Sequence, residues 1–508
     1  MPSPNVLSRF FEHAVRAPER TALEWRGEAT SYGELLLLVT AARAALRKRL
    51  SASGLVCVPA VRTPQTIALL LAAHAQGMTT LVLSSDLGRQ ALLGLAQDAG
   101  GNDVVWAGRS AGELVVESVP HAASRSMSSS DQSRVCGASL VLMTSGTTGS
   151  PKAVPIRHEA VDRFTRWATR TFAIRPDTRV LNYAPLNFDL ALLEVWAVLN
   201  AGATVLLVDP DRATDGRYLA SVAERADVIQ GVPLLYRLIT AAVGAPFPEA
   251  PRHLIFTGDV IAPRLAAQVA EAFPGASLHN VYGCTETNDS FHHLVSQTDL
   301  TSGLPLPIGR PLPGVDALVL DHGDAAIAAE GSGELLVRTP FQASGYLDPA
   351  HDAGRFVYVG SVAAAATGHS GDSTTPYYRT GDVVRRLRDG TVVLEGRNAF
   401  HVKVRGVRTN LQEIEQVLLR HPDVTDAVVV AIPDDLAGHQ LHATVRRGQG
   451  TDLNSLQLRQ HCADRLARTA IPKQFDITDH PLPSTPTGKA DRQAIRAQVK
   501  EEAPHVPL

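Results

Sequence analysis

Cysteine is scarce in this chain: Cys57, Cys136, Cys284 and Cys462 are the only four in 508 residues. None falls in a C-x-x-C or C-x-x-H spacing, which argues against a disulfide framework and against a cysteine-based zinc site. Four isolated thiols fit a reducing compartment, where cysteine acts as a small core residue. Charge of one sign is also missing. A formal net charge of −3 gives no global attraction to nucleic acid or to an anionic membrane. Long apolar runs are absent too, since stretches such as residues 66–73 and 203–208 fall far short of the roughly 20 residues a membrane helix needs. Residues 1–15 lack a basic segment followed by an apolar one and a small-residue cleavage site, so no secretory signal is expected. The expectation is a soluble cytoplasmic protein.

What is present is globular: 44% hydrophobic and 19% charged residues over a length that calls for two or more cores. Residues 34–50 carry apolar side chains at helical spacing and end in Arg47-Lys48-Arg49, favourable beside a helix C-terminus. Short apolar runs at 104–107, 139–143, 204–208, 228–231 and 253–256 read as buried strands between helices, the alternation of an α/β protein with largely parallel sheets. From about residue 305 the texture changes. Residues 333–338, 383–387 and 391–395 alternate as short strands, with a hairpin signal at Arg388-Asp389-Gly390. Residues 357–376, rich in Gly, Ala, Ser and Thr, read as a surface loop. Beyond Gly396-Arg397 comes a compact α+β segment with a helix at 411–420 and a strand at 425–432. The expected organisation is a layered α/β N-terminal domain with a small β-barrel-like subdomain (1–396), then a small mobile α+β domain (397–508).

The segment Thr144-Ser145-Gly146-Thr147-Thr148-Gly149-Ser150-Pro151-Lys152 is dense in hydroxyls and glycines. Glycines let a backbone approach an anion closely, and hydroxyl and amide donors can wrap a pyrophosphate. It is not a Walker loop, because proline occupies 151 and alanine follows Lys152. A turn of this composition also occurs with no ligand. Much further on, Pro486-Thr487-Gly488-Lys489 sets a lone lysine on a glycine turn.

The first of these strings resembles the signature loop of the adenylate-forming superfamily, which includes acyl-CoA synthetases, luciferases and nonribosomal peptide synthetase adenylation domains. The resemblance extends along most of the chain. Asn280-Val281-Tyr282-Gly283-Cys284-Thr285-Glu286, Gly333-Glu334-Leu335, Gly345-Tyr346, Tyr378-Arg379-Thr380-Gly381-Asp382, Gly396-Arg397, His401-Val402-Lys403-Val404-Arg405-Gly406 and the Lys489 turn all follow in the family's order. It implies ATP and Mg²⁺ as cofactors. Thr144, Ser145, Gly146, Thr147, Thr148, Gly149 and Lys152 would then cradle phosphate. Tyr282 would stack on adenine, Asn280 meet its edge, Thr285 touch phosphate and Glu286 help hold magnesium through a hard oxygen. Asp382 would take the ribose hydroxyls, Arg397 would add a ribose or phosphate contact, and Lys489 would neutralise charge during adenylate formation. Two departures stand out: Asn398-Ala399 replaces the family's usual x-Asp at the hinge, and Leu394 sits where many relatives carry tyrosine.

Asn187-Phe188-Asp189 resembles the segment of amino-acid-activating members in which an aspartate binds the substrate ammonium. A carboxylate there selects a cation and repels simple acids. The bland alternative is a helix cap. The same resemblance adds Leu190, Leu193, Tyr236, Ile255, Thr257, Val281, Asp289 and Ser290 to the pocket. Leu190, Leu193 and Tyr236 make an apolar wall for a compact side chain, and their combination with Asp189 resembles free-standing prolyl-adenylating enzymes of pyrrole-forming pathways. Asp289 and Ser290 are polar and could meet a hydroxyl or a second amine, or Asp289 could cap the segment entering Phe291. The chain ends about twenty residues after Lys489, which reads as a free-standing activator. The implied function is ATP-dependent aminoacyl-AMP formation with release of pyrophosphate. Transfer to the phosphopantetheine thiol of a separate carrier protein would follow, in secondary-metabolite (nonribosomal peptide or antibiotic) biosynthesis. An acyl- or aryl-CoA ligase and a non-catalytic nucleotide-binding homologue are the alternatives.

Overall fold

The computed structural model describes residues 8–50, 55–101, 103–110, 112–119, 134–135, 137–144, 152–244, 246–247, 251–321, 325–358, 375–397, 401–434, 438–448, 450–483 and 492–502. Two compact units result: one of Met1–Ser85, Ala96–Met143 and Ala153–Asn398, the other of Asp86–Leu95, Thr144–Lys152 and Ala399–Leu508.

Two sheets with parallel centres dominate the larger unit. The first has nine strands, in the order Arg310–Pro311, Asn288–Leu294, Ser277–Cys284, His253–Phe256, Val228–Gly231, Arg179–Asn182, Thr204–Leu207, Thr21–Trp25 and Glu28–Ser31. Its middle is parallel and its outer strands are antiparallel. The second has six strands, Leu114–Ser118, Asp103–Ala107, Leu55–Pro59, Thr79–Leu83, Ala138–Thr144 and Lys152–Arg157. Central strands such as Leu55–Pro59 and Thr79–Leu83 are buried along their whole length, as a parallel sheet covered on both faces requires. Helices start where the chain supplies an N-terminal signal. Pro64, Pro233 and Pro263 occupy first turns, where their missing N–H costs nothing. The helix expected at 34–50 begins at Tyr32, because Ser31 and Glu34 form a reciprocal capping box.

A five-stranded antiparallel sheet follows, built from Asp316–Leu320, Gly331–Arg338, Phe356–Val357, Tyr377–Arg386 and Val392–Arg397. The strand expected at 383–387 starts at Tyr377. Its polar stretch Arg379 to Asp382 hides the alternation, and Gly381 adopts φ 74° within it. Most of the loop expected at 357–376 lies outside the described residues.

In the smaller unit a hairpin, His401–Val404 with Val407–Asn410, turns through Arg405 (φ 52°) and Gly406 (φ 79°). Two positive φ values in succession give the turn whose twist matches a hairpin. Helix Leu411–Leu419 packs on a three-stranded sheet, Val424–Asp434, Gly438–Arg447 and Gln474–Thr478. The buried Glu415 accepts a bond from the Val429 N–H at 2.7 Å and pairs with Arg492 of helix Arg492–Glu502 at 2.6 Å.

Candidate active site

Strand Ser277–Cys284 lies near the end of the parallel core and places Asn280, Val281 and Tyr282, all buried, in sequence. Gly283 is required by contact: a Cβ there would come within 2.3 Å of the Asn288 carbonyl oxygen. Its absence lets the antiparallel strand Asn288–Leu294 close in where the register shifts between Tyr282 and Gly283. Asn280 donates from Nδ2 to the Pro307 carbonyl at 2.7 Å.

Tyr282 and Asp382, 100 positions apart, meet directly: the phenol donates to Asp382 Oδ2 at 2.5 Å. Asp382 is 1% exposed. Its N–H donates to Thr380 Oγ1 at 3.0 Å, and that hydroxyl donates to the Leu335 carbonyl at 2.7 Å. The Gly333-Glu334-Leu335 and Tyr378-to-Asp382 strings therefore brace each other, helped by an Arg379–Glu334 ion pair at 3.0 Å. Arg397 ends strand Val392–Arg397 directly opposite Asp382 in backbone register.

Glu286 follows in the turn after Cys284 and is buried. The Tyr346 hydroxyl donates to its Oε1 at 2.7 Å and lies 3.1 Å from the Tyr378 hydroxyl. Burial, and then the Glu286 charge, hold the Tyr346 phenol protonated far above its usual range. Thr285, half-buried, precedes Glu286 in the same turn. Sequence reasoning quoted Gly345-Tyr346 as a motif but missed Tyr346 as the residue that orients the carboxylate. Thr144 ends its strand with a buried Oγ1 that has no partner among the described residues, and the buried Lys152 opens the next strand. Ser145, Gly146, Thr147, Thr148, Gly149 and Lys489 lie outside the described residues, as does the Arg397 side chain.

Asp189 sits in the turn before the π-helical segment Leu192–Ala197. That segment's N-cap is Ala191, with no side-chain cap bond, and the Asp189 carbonyl accepts from the Leu192 N–H at 2.9 Å. Asp289 lies within strand Asn288–Leu294, which is no helix for it to cap. Leu193, Ile255, Thr257 and Val281 are buried, and Leu190 is half-buried. Tyr236 is fully buried, its hydroxyl donating to the Ile229 and Ile255 carbonyls at 2.9 Å each. Ser290 is likewise enclosed, its hydroxyl donating to the Asn288 carbonyl at 3.1 Å and lying 3.2 Å from the Thr287 hydroxyl. Both hydroxyls are therefore satisfied by the protein. Burial, reinforced by the Asp189 charge, pushes the Asp289 carboxyl up to about 8.

Sequence reasoning also missed Glu194. It is fully buried, and desolvation pushes its carboxyl up to about 8 despite bonds from Asn182 Nδ2 (2.6 Å) and the Ala184 N–H (3.0 Å). Those bonds tie the loop after strand Arg179–Asn182 to the segment that follows Asp189. The available signal was one acid inside the apolar stretch 190–199, since a buried acid must have a bonding reason to be there.

A family model described as AMP-binding enzyme matches residues 10–347, and one described as AMP-binding enzyme C-terminal domain matches 413–489. An L-proline–[L-prolyl-carrier protein] ligase of Streptomyces coelicolor is 33% identical over 376 residues, covering 72% of this chain and 67% of that protein. One of Pseudomonas fluorescens is 31% identical over 364 residues, covering 71% and 68%. Among solved structures, a nonribosomal peptide synthetase protein containing adenylation and PCP domains, bound to a vinylsulfonamide inhibitor, superposes with a TM-score of 0.77. It is 25% identical and covers 97% of this chain and 84% of that one.

Proposed function

We propose that this chain, which belongs to the AMP-binding enzyme family, is an AMP-forming ligase that activates an amino acid with ATP. It then passes the aminoacyl group to the phosphopantetheine thiol of a carrier protein. The observation that carries the reading is the bonded group Tyr282–Asp382 and Glu286–Tyr346–Tyr378. It offers an aromatic ring, a held carboxylate for two hydroxyls and a second carboxylate in a hydrogen-bonded, buried setting. The identity of relatives that act on proline and a carrier protein supports the amino-acid branch over an acid:CoA ligase.

In the first half-reaction the substrate carboxylate attacks the α-phosphorus of ATP, and pyrophosphate leaves in line. No general base is needed, because an amino-acid carboxylate is ionised near neutral pH. Asp189 holds the substrate ammonium, which fixes the carboxylate's direction. Tyr282 packs against adenine with Asn280 at its edge, and Asp382 accepts from the ribose hydroxyls. Thr144, Ser145, Gly146, Thr147, Thr148, Gly149, Lys152 and Thr285 hold the phosphates, and Arg397 adds a contact from the strand beside Asp382. Glu286, a hard oxygen ligand held by Tyr346, suits magnesium in the usual arrangement of one carboxylate plus substrate phosphates. When bound, that ion supplies charge neutralisation on the phosphates. Lys489 neutralises charge between carboxylate and α-phosphate, then withdraws so that the thiol can attack the adenylate carbonyl and expel AMP. The domain division near residue 397 belongs to the same proposal.

Amino-acid-dependent exchange of pyrophosphate with ATP, followed by transfer to a phosphopantetheinylated carrier protein or to coenzyme A, tests it. The expected result is exchange with amino acids only and loading of the carrier protein. Exchange confined to acids lacking an amine would overturn the reading.

A further inference from the structure

The tyrosine that holds Glu286 is itself held from both sides of its main chain. The Tyr346 N–H donates to Asp352 Oδ1 at 2.8 Å, and the Tyr346 carbonyl accepts from the Arg134 guanidinium, 212 positions earlier in the chain. Arg134 and Asp352 also pair with each other at 2.8 Å, both half-buried. The three residues close a ring: an acid on the N–H, a base on the carbonyl and an ion pair between them. Gly345 makes room for it. A Cβ there would lie 2.4 Å from the Arg134 guanidinium and 2.7 Å from the Asp352 carboxylate, and the φ of 145° is one that side chains rarely adopt.

A glycine just before Tyr346 leaves the chain free to swivel at that point unless something pins it. The Arg134–Asp352 clamp pins the main chain, and the Tyr346 ring is wedged edge-on against Phe356 and His351, with centroids 5.6 and 6.1 Å away. With both fixed, the hydroxyl is aimed at Glu286 Oε1, 2.7 Å off. The same strap meets the Glu286 turn a second time, where the Ala343 N–H donates to the Glu286 carbonyl at 2.9 Å. An exposed ion pair contributes little to stability. This one is half-buried, and each member spends a bond on the main chain of one residue. A carboxylate that is to meet a metal ion gains affinity from the partners that fix its direction.

We infer that Arg134 and Asp352 are positioning residues for the metal-bound nucleotide, acting through Tyr346 on the Glu286 carboxylate. This rests on the reading of Glu286 as the magnesium-holding acid given above. Neither residue belongs to a motif string, and neither is placed against the amino acid, so the clamp acts on the binding of Mg·ATP alone.

Calorimetric titration of the intact chain with a non-hydrolysable ATP analogue, once with Mn²⁺ and once with EDTA, tests this, and electron paramagnetic resonance follows the Mn²⁺ itself. Arg134→Met should weaken binding of the Mn²⁺-loaded analogue about three- to tenfold and leave the metal-free analogue within about twofold. In pyrophosphate exchange it should raise KM for Mg·ATP by a similar factor and leave KM for the amino acid unchanged. In a Tyr346→Phe background Arg134→Met should add less than about twofold, because its route to Glu286 is already cut. Asp352→Asn keeps an acceptor for the Tyr346 N–H and loses the charge facing Arg134. It guards against a folding failure and should give a smaller shift in the same direction. Equal weakening with and without metal, losses that multiply in the double variant, or an unmoved Mn²⁺ affinity would overturn the inference while leaving amino-acid activation intact. A wild-type chain that binds the analogue but takes up no Mn²⁺ would remove the reading of Glu286, and this one with it.

Discussion

Replacing Tyr282 with phenylalanine keeps the ring that would pack on adenine and deletes one hydroxyl. In the structure that hydroxyl donates to Asp382 Oδ2 at 2.5 Å, and the aspartate is 1% exposed. A hydrogen bond to a charged group contributes about 1.5–3 kcal/mol, and deleting the donor leaves a buried carboxylate oxygen poorly solvated. Tyr282→Phe should therefore lower unfolding stability by about 1.5–3 kcal/mol, read as a shift in urea midpoint at unchanged slope. The effect on nucleotide binding is smaller, because Thr380 still braces the Asp382 backbone. What is lost is pre-orientation of one side chain, about 0.5–1.5 kcal/mol, or roughly a two- to twelvefold rise in KM for ATP. The rate at saturating ATP should hold within about threefold, since no reacting group is touched. An unchanged midpoint would show that the hydroxyl is not holding Asp382. A loss confined to kcat would refute the assignment of this pair to nucleoside binding.

Lys489→Ala should cut adenylate formation by about a hundredfold or more, the scale of removing one preorganised charge. Thioester formation from supplied aminoacyl-AMP should change little, and equal losses in the two steps would contradict the role given to this lysine. His279 supplies a pH prediction. It is bonded to His253 (3.0 Å) and His292 (2.9 Å) and packed on Phe172, and burial, aided by both neighbouring histidines, depresses it from 6.5 to about 3. Between those values the unfolded chain binds the proton and the folded chain does not. Stability is therefore fully present above about pH 6.5 and is lost as pH falls towards 3. Glu194 and Asp289, both raised, act in the opposite direction across their own range, so the comparison must be with His279→Gln. Between about pH 7 and about pH 5 the wild-type urea midpoint should fall more than that of the variant, and parallel curves would count against the histidine.

Much of the α/β core could be read from the chain because its signals are local. Strands 228–231 and 253–256 fall where the apolar runs predict them, and others differ by a residue or two. Helix Tyr32–Arg49 started earlier than its apolar period because the capping box, not the period, sets the start. Strand Tyr377–Arg386 was half-hidden because the polar Thr380 and Asp382 take buried positions of its alternating pattern, where apolar residues would have marked it. Asp189, Tyr282, Glu286 and Asp382 were legible as motif members. Glu194 was not, since it belongs to no spacing that announces its chemistry, and Tyr346 was legible as a motif member but not as the residue that holds Glu286.

Residue types and their order determined the family, the two-part α/β architecture and the acid at Asp189, because those depend on local pattern and on strings kept intact along the chain. Only the tertiary structure decided which polar groups are already spent. It closed the Tyr236 and Ser290 hydroxyls on main-chain carbonyls, joined Tyr282 to Asp382 across 100 positions, and set the Asp289 carboxyl near enough to Asp189 for the two charges to oppose each other. A hydrogen bond or a like-charge pair is a property of distance in space, and sequence separation carries no record of it.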